Sequence, residues 1–265
     1  MPELMEWTLL FGAIVGLSLG LTGGGGSIFA VPLLVYGLDM DFRRAVALSL
    51  AVVGLTALYG AVMQARQGRV LWGAGIVLGI GGVFSAPLGA WLGERMPEFY
   101  SLLLFAALMI FIGLRMLLQK QAVGDVPLHW ISCERRPDGM PKFSSKCAAK
   151  LVGAGALTGI LSGIFGVGGG FLVVPALLVV TCVSIDRALA TSLVAIFLIS
   201  ASGFLANASR LAPADVPLGA IFLVGSAIGM TGGIQLKRFI PARGLQIIFG
   251  VGVIGTAIFV ILQTF

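Results

Sequence analysis

Eight long stretches with almost no charged residue dominate this chain: 7–38, 45–63, 70–92, 99–114, 151–185, 188–209, 216–236 and 244–265. A helix needs ~20 apolar residues to cross a ~30 Å hydrocarbon core, and several of these stretches reach that length. Only 11% of the 265 residues are charged and 58% are hydrophobic, whereas about 25% of a soluble chain is charged. The sequence therefore predicts an all-α polytopic membrane protein with the lipid bilayer as its solvent. The net charge of +6 is no nucleic-acid signal, because the positive residues fall in short loops, where they set orientation. The first apolar run follows Glu3 and Glu6 with no Lys or Arg, so it is expected to stay in place rather than be removed as a secretory leader. Cys133, Cys147 and Cys182 are odd in number and lack CxxC spacing, which predicts neither a disulfide framework nor a zinc site. The single histidine, His129, argues against a haem or a His-rich metal centre. No metal and no cofactor are expected.

The chain is written twice. A shift of 143 positions sets "GLSLGLTGGGGSIFAVPLLVYGLDMDFRRAVALSL" (16–50) on "GILSGIFGVGGGFLVVPALLVVTCVSIDRALATSL" (159–193) without a gap, with thirteen of 35 positions identical. The identities include Gly20/Gly163, Gly23/Gly166, Gly25/Gly168, Gly26/Gly169, Pro32/Pro175, Arg44/Arg187 and Ser49/Ser192. The same shift relates Gln64 to Asn207, and a shift of 144 relates Gly89 to Gly233 and Pro97 to Pro241. Such internal repeats are common in secondary transporters. The expected organisation is a first membrane repeat (1–118), a polar linker (119–148) and a second membrane repeat (149–265).

Loop charge suggests how the repeats sit. If all eight stretches cross the membrane, ten positive residues face seven. If each glycine-containing stretch enters and leaves on one side, thirteen face four, which the positive-inside rule favours. Each repeat is then a re-entrant, glycine-broken helical hairpin plus three transmembrane helices, and the two repeats are inverted. The expected setting is a bacterial cytoplasmic (inner) membrane, multi-pass, with the central loop cytoplasmic and both termini outside.

The breaks lie at Gly23, Gly24, Gly25 and Gly26 and at "FGVGGG", 165–170. Non-helical backbone at membrane depth is tolerated only inside protein or beside a wet cavity. The arm after each break starts a helix near the midplane, and its free N–H groups carry the positive end of the dipole. Glycine lets an anion reach them. Gly23–Gly26 with Ser27, and Gly166, Gly168, Gly169 and Gly170, are therefore candidate substrate contacts. Pro32 and Pro175 stand either at a first helical position or inside the arm, where they would kink it. A P-loop reading fails, since no Lys-Ser/Thr follows the glycines. Elsewhere, in "GIVLGIGG" and "GVGVIG", glycine reads as close helix packing.

Polar residues within spans add further candidates. Ser49 and Ser192, with Thr191 beside the latter, offer hydroxyl donors about one and a half turns into the helices after the hairpins. Gln64 and Asn207 could gate the path or supply second donors. Arg44 and Arg187 could draw anions to each mouth, although snorkelling to headgroups is the plainer reading. No carboxylate lies deep in a span, which fits an anion path better than a cation path.

Two glycine-rich breaks followed by proline, each leading to "R-A-x-A-x-S-L" (Arg44–Leu50 and Arg187–Leu193), resemble the sulfite exporter TauE/SafE family of membrane anion permeases. The resemblance covers essentially the whole chain. It implies a duplicated helical bundle that carries sulfite, sulfoacetate, other organosulfonates or related small anions, with the glycine breaks and Ser49/Ser192 as substrate contacts. Ser27 opposite Gly170 and Leu48 opposite Thr191 imply unequal half-sites. The expected function is a secondary transporter working by alternating access, not an enzyme. The alternatives are a passive anion channel or a transporter for a different small solute.

Overall fold

The computed structural model describes residues 2–118, 134–135, 141–142, 145–166, 170–181, 183–237, 239 and 242–264. Its helices are α1 (Pro2–Thr22), α2 (Ala30–Pro32), α3 (Phe42–Ala65), α4 (Trp72–Arg95), α5 (Glu98–Leu118), α6 (Ser145–Phe165), α7 (Gly170–Thr181), α8 (Ile185–Asn207), α9 (Asp215–Leu236) and α10 (Ala242–Thr264). Among the described residues, six of them (α1, α3, α4, α6, α8 and α9) are long and apolar enough to cross a membrane. The linker contributes a two-residue antiparallel ladder, Glu134–Arg135 against Pro141–Lys142. The chain is an all-helical, polytopic membrane protein.

Glycine rows set the helix contacts. Gly12, Gly16 and Gly20 recur every fourth residue on α1, and a Cβ on Gly16 would lie 1.9 Å from the Ser226 carbonyl oxygen of α9. From the other side, a Cβ on Gly229 would lie 2.0 Å from the Ala13 oxygen. The equivalent row of the second repeat, Gly155, Gly159 and Gly163, docks on α4 in the same way: the Gly155 position would meet the Leu78 oxygen at 1.9 Å. Lipid supplies no hydrophobic force between helices, so such backbone-close packing is what holds them together. The "GIVLGIGG" glycines fit this role: Gly79 abuts Leu198 and Gly81 abuts Val152. Gly255 does not, for its Cβ position meets open space.

These registers also give directions. Contacts Gly12–Phe222, Gly16–Ser226 and Gly20–Met230 advance together, so α1 and α9 run parallel, and Gly219–Leu48 with Gly60–Met230 make α3 parallel to both. By the same reasoning α4, α6 and α8 run parallel to one another. Gly54 meets Ser200 while Gly203 meets Leu50, so α3 and α8 cross antiparallel at the centre. Each broken hairpin is thus held chiefly by the other half of the chain, α1 on α9 and α6 on α4.

Ion pairs fix the helix ends. Asp41 caps α3, its carboxylate accepting from the Arg43 and Arg44 N–H groups at 3.0 and 3.2 Å, as favoured caps do. Lys237 pairs with Asp186 at 2.7 Å and Arg210 with Glu94 at 2.5 Å. Against the expectation from spacing, Cys147 is disulfide-bonded, and its partner lies outside the described residues. Spacing motifs detect only local pairs, whereas this bond needs tertiary proximity.

Candidate functional site

Both breaks follow one local plan. Gly23 and Gly166 each adopt φ +69°, the left-handed conformation that ends helices and that glycine enters without a Cβ penalty. The N–H of Gly23 donates to the Leu19 oxygen at 2.8 Å and that of Gly166 to the Ser162 oxygen at 2.8 Å, closing α1 and α6. Gly24 follows at φ 157°, another conformation that L side chains rarely adopt. The chain then restarts as a 3-10 turn, Gly25–Phe29, passes through α2 and loosens into a π turn, Leu33–Gly37. This return arm, 25–37, places Pro32 in the helical interior rather than at its start. Proline lacks the N–H of an α-type bond, and the wider π turn follows it directly. Pro175 likewise falls inside α7.

The breaks meet each other. A Cβ on Gly24 would lie 2.7 Å from the Gly170 oxygen, and one on Gly170 would lie 2.5 Å from the Gly24 oxygen. Ile196 of α8 covers both, its Cδ1 2.7 Å from either Cβ position. No sequence signal singles out Ile196, because its role depends only on where the crossing helices place it.

The symmetric serines cross between halves. Ser49 Oγ is buried and donates toward the Gly166 oxygen at 2.6 Å, with the Val46 oxygen at 2.9 Å. Ser192 Oγ is buried likewise, directed at the Gly23 oxygen and, at 2.8 Å, at the Leu189 oxygen. Each serine therefore secures the glycine break of the other repeat. Seven residues separate Ser49 from Phe42 and Ser192 from Ile185, which sets each break about 10 Å along its neighbour helix at 1.5 Å per residue.

The remaining candidates occupy distinct places. Ser27 Oγ donates to the Gly24 oxygen at 2.8 Å. The Gly26 N–H donates to Thr22 Oγ1 at 3.2 Å, and the Gly25 N–H has no acceptor among the described residues. Thr191 Oγ1 accepts the Leu71 N–H at 3.0 Å, tying α8 to the start of α4. Gln64 and Asn207 are buried near the far ends of α3 and α8, and their amide oxygens find no donor among the described residues. Asn207 Nδ2 donates to the Gly203 oxygen at 2.7 Å. Gly168 and Gly169 lie outside the described residues.

Arg44 takes a partner that the sequence reading missed. Its Nε donates to Asp215 Oδ2 at 3.1 Å and its Nη2 to Oδ1, while that buried carboxylate also accepts the Ala212 N–H at 2.9 Å. The only sequence signal was an acid at the head of α9. Arg187 forms no ion pair among the described residues. Arg44→Ala is therefore expected to lower the unfolding midpoint in detergent clearly more than Arg187→Ala, because it strands a buried carboxylate. Equal shifts would reduce the Arg44–Asp215 bridge to a bystander.

The sequence profile of the sulfite exporter TauE/SafE family matches residues 8–260. The chain belongs to that family. It is 34% identical over 260 residues to a probable membrane transporter protein of Xylella fastidiosa (strain 9a5c), covering 96% of this chain and 94% of the relative. It is 25% identical over 234 residues to the probable membrane transporter protein YdhB of Bacillus subtilis (strain 168), covering 86% and 88%. No solved structure matches. Family and relatives make this chain a multi-pass membrane transporter, and the back-to-back glycine breaks are the part of it built unlike a packing helix.

Proposed function

We propose that this family member is a secondary transporter, not an enzyme, for a small sulfur-containing anion such as sulfite or an organosulfonate. The anion is bound by the two half-helix starts near the midplane. The observation that carries the reading is the meeting of Gly24 and Gly170, each at the point where helical structure restarts after a break. Two positive dipole ends then face one small volume, with glycine removing the side chains between backbone and ligand. The Gly25 N–H has no acceptor among the described residues, and Thr191, which accepts the Leu71 N–H, keeps its own hydrogen to donate. Ser27, Ser49 and Ser192 hold carbonyls of the breaks and would reach an anion only by turning away from them.

The helix directions support inverted repeats: α1 runs with α3 and against its counterpart α6, so 25–37 must return to the side from which α1 entered. Antiparallel α3 and α8 then form a pivot between two interlocked bundles, α1–α3 with α9 and α6–α8 with α4. Alternating access would rock one bundle on the other about that crossing. Gln64 and Asn207, at opposite ends of the pivot, suit gates.

A thermal-shift panel of the purified protein against sulfite, sulfate, thiosulfate, sulfoacetate and taurine tests the substrate class. A raised midpoint with one or more of the sulfonates or sulfite, and saturable counterflow of that anion in proteoliposomes, is the expected result. No shift with any of them, or non-saturable flux, would reject the reading.

A further inference from the structure

We infer that the first repeat carries a binding site for one hydrocarbon chain of a bilayer lipid, seated between α1, the return arm and α10. A crevice of about 700 Å³ opens there. At ~30 Å³ per water-sized group it holds on the order of twenty such groups, the bulk of a single lipid chain. Its floor is one face of the return arm, Phe29, Pro32, Leu33, Tyr36 and Gly37, spaced as one side of a helix. Its mouth is open and apolar: Ile14, Leu17 and Phe259 line it and are 42%, 37% and 46% exposed. No charged residue lines it, so nothing in it counters an ionic headgroup. Hydrocarbon recovers the dispersion contacts that the open, mostly apolar face lacks.

The two repeats differ in the residues at these positions. Aligned by the repeat shifts, Ser18, Leu21, Thr22, Phe29 and Gly252 of the crevice correspond to Leu161, Ile164, Phe165, Leu172 and Leu108. Those five residues belong to a cluster around Phe105 and Met109 that also takes in Ile28 and Phe29 of the return arm and Val253 and Ala257 of α10, with the Phe105 and Phe165 rings 5.5 Å apart. Leu161, Phe165 and Leu108 of the second repeat are larger than Ser18, Thr22 and Gly252, their counterparts in the crevice. These small and hydroxylated residues leave the crevice open, and the chain of a lipid fills it against the arm that Pro32 and the π turn have loosened. The inference rests on the bilayer setting alone and is independent of the transported anion.

Native mass spectrometry of protein purified in mild detergent, activated until the loosely held lipid shell is stripped, tests it. Wild type is expected to keep one lipid. Gly255→Phe projects a ring into the crevice from a position whose Cβ meets nothing within 4 Å, and it should cut the retained fraction at least tenfold. Ser18→Leu, which writes in the residue of the second repeat, should do the same and serves if the first variant does not fold. Leu104→Phe, on the exposed face of α5, should leave retention unchanged. Equal retention in wild type and both crevice variants would overturn the site. So would tight binding of dodecyl sulfonate by wild type that retains no lipid, which would make the crevice a substrate pocket instead.

Discussion

Gly24→Val should abolish transport and destabilise the protein by about 3–5 kcal/mol, combining overpacking with an unfavourable backbone region. The new Cβ would sit 2.7 Å from the Gly170 oxygen and 2.8 Å from its Cα. Both are backbone atoms of the opposite break and cannot rotate away. At φ 157° the valine backbone is strained as well. Initial uptake into proteoliposomes and the unfolding midpoint in detergent are the readouts. Gly68→Ala measures a positive-φ cost without any clash, since Gly68 has φ 66° and nothing within 4 Å of its Cβ position. It should cost about 1–2 kcal/mol from the backbone alone and leave transport intact. If Gly24→Val transported at the wild-type rate, the breaks would not meet as described.

Ser192→Ala and Ser49→Ala carry the second largest expected effect. Each removes the hydroxyl that reaches the carbonyl of the opposite break, Gly23 for Ser192 and Gly166 for Ser49. Leaving such a buried acceptor without its donor costs about 1–3 kcal/mol. The two breaks meet, so the double variant is expected to depart from the sum of the single losses. The same variants probe the anion. If the serines also touch it, the midpoint shift on adding sulfite or sulfoacetate disappears along with the stability. If the ligand-induced shift survives at full size in both alanine variants, the serines act only as cross-repeat latches.

Much of this site was legible before folding, and the reasons are local. Gly23 and Gly166 share a φ that glycine alone enters easily, so a repeated glycine marks a repeated turn. Arg44 was legible as a charge at a helix end but not as the partner of Asp215, 171 residues away. The cysteines, read by spacing, gave no hint that Cys147 is bonded. Pro32 and Pro175 had two readings, at the head of a helix or inside it. The positions of Gly25 and Gly170 at the restarts settled that both are interior.

The sequence by itself determined the solvent, the helices and the duplication, because apolar length, charge scarcity and glycine's conformational range act within a few residues of chain. Tertiary structure decided which groups answer which. Ser49 meets Gly166 across 117 residues and Ser192 meets Gly23 across 169. It also decided that α1, the return arm and α10 leave a crevice between them. Those outcomes depend on how α1 docks on α9 and α6 on α4, a fit of backbone surfaces in three dimensions that no local pattern encodes.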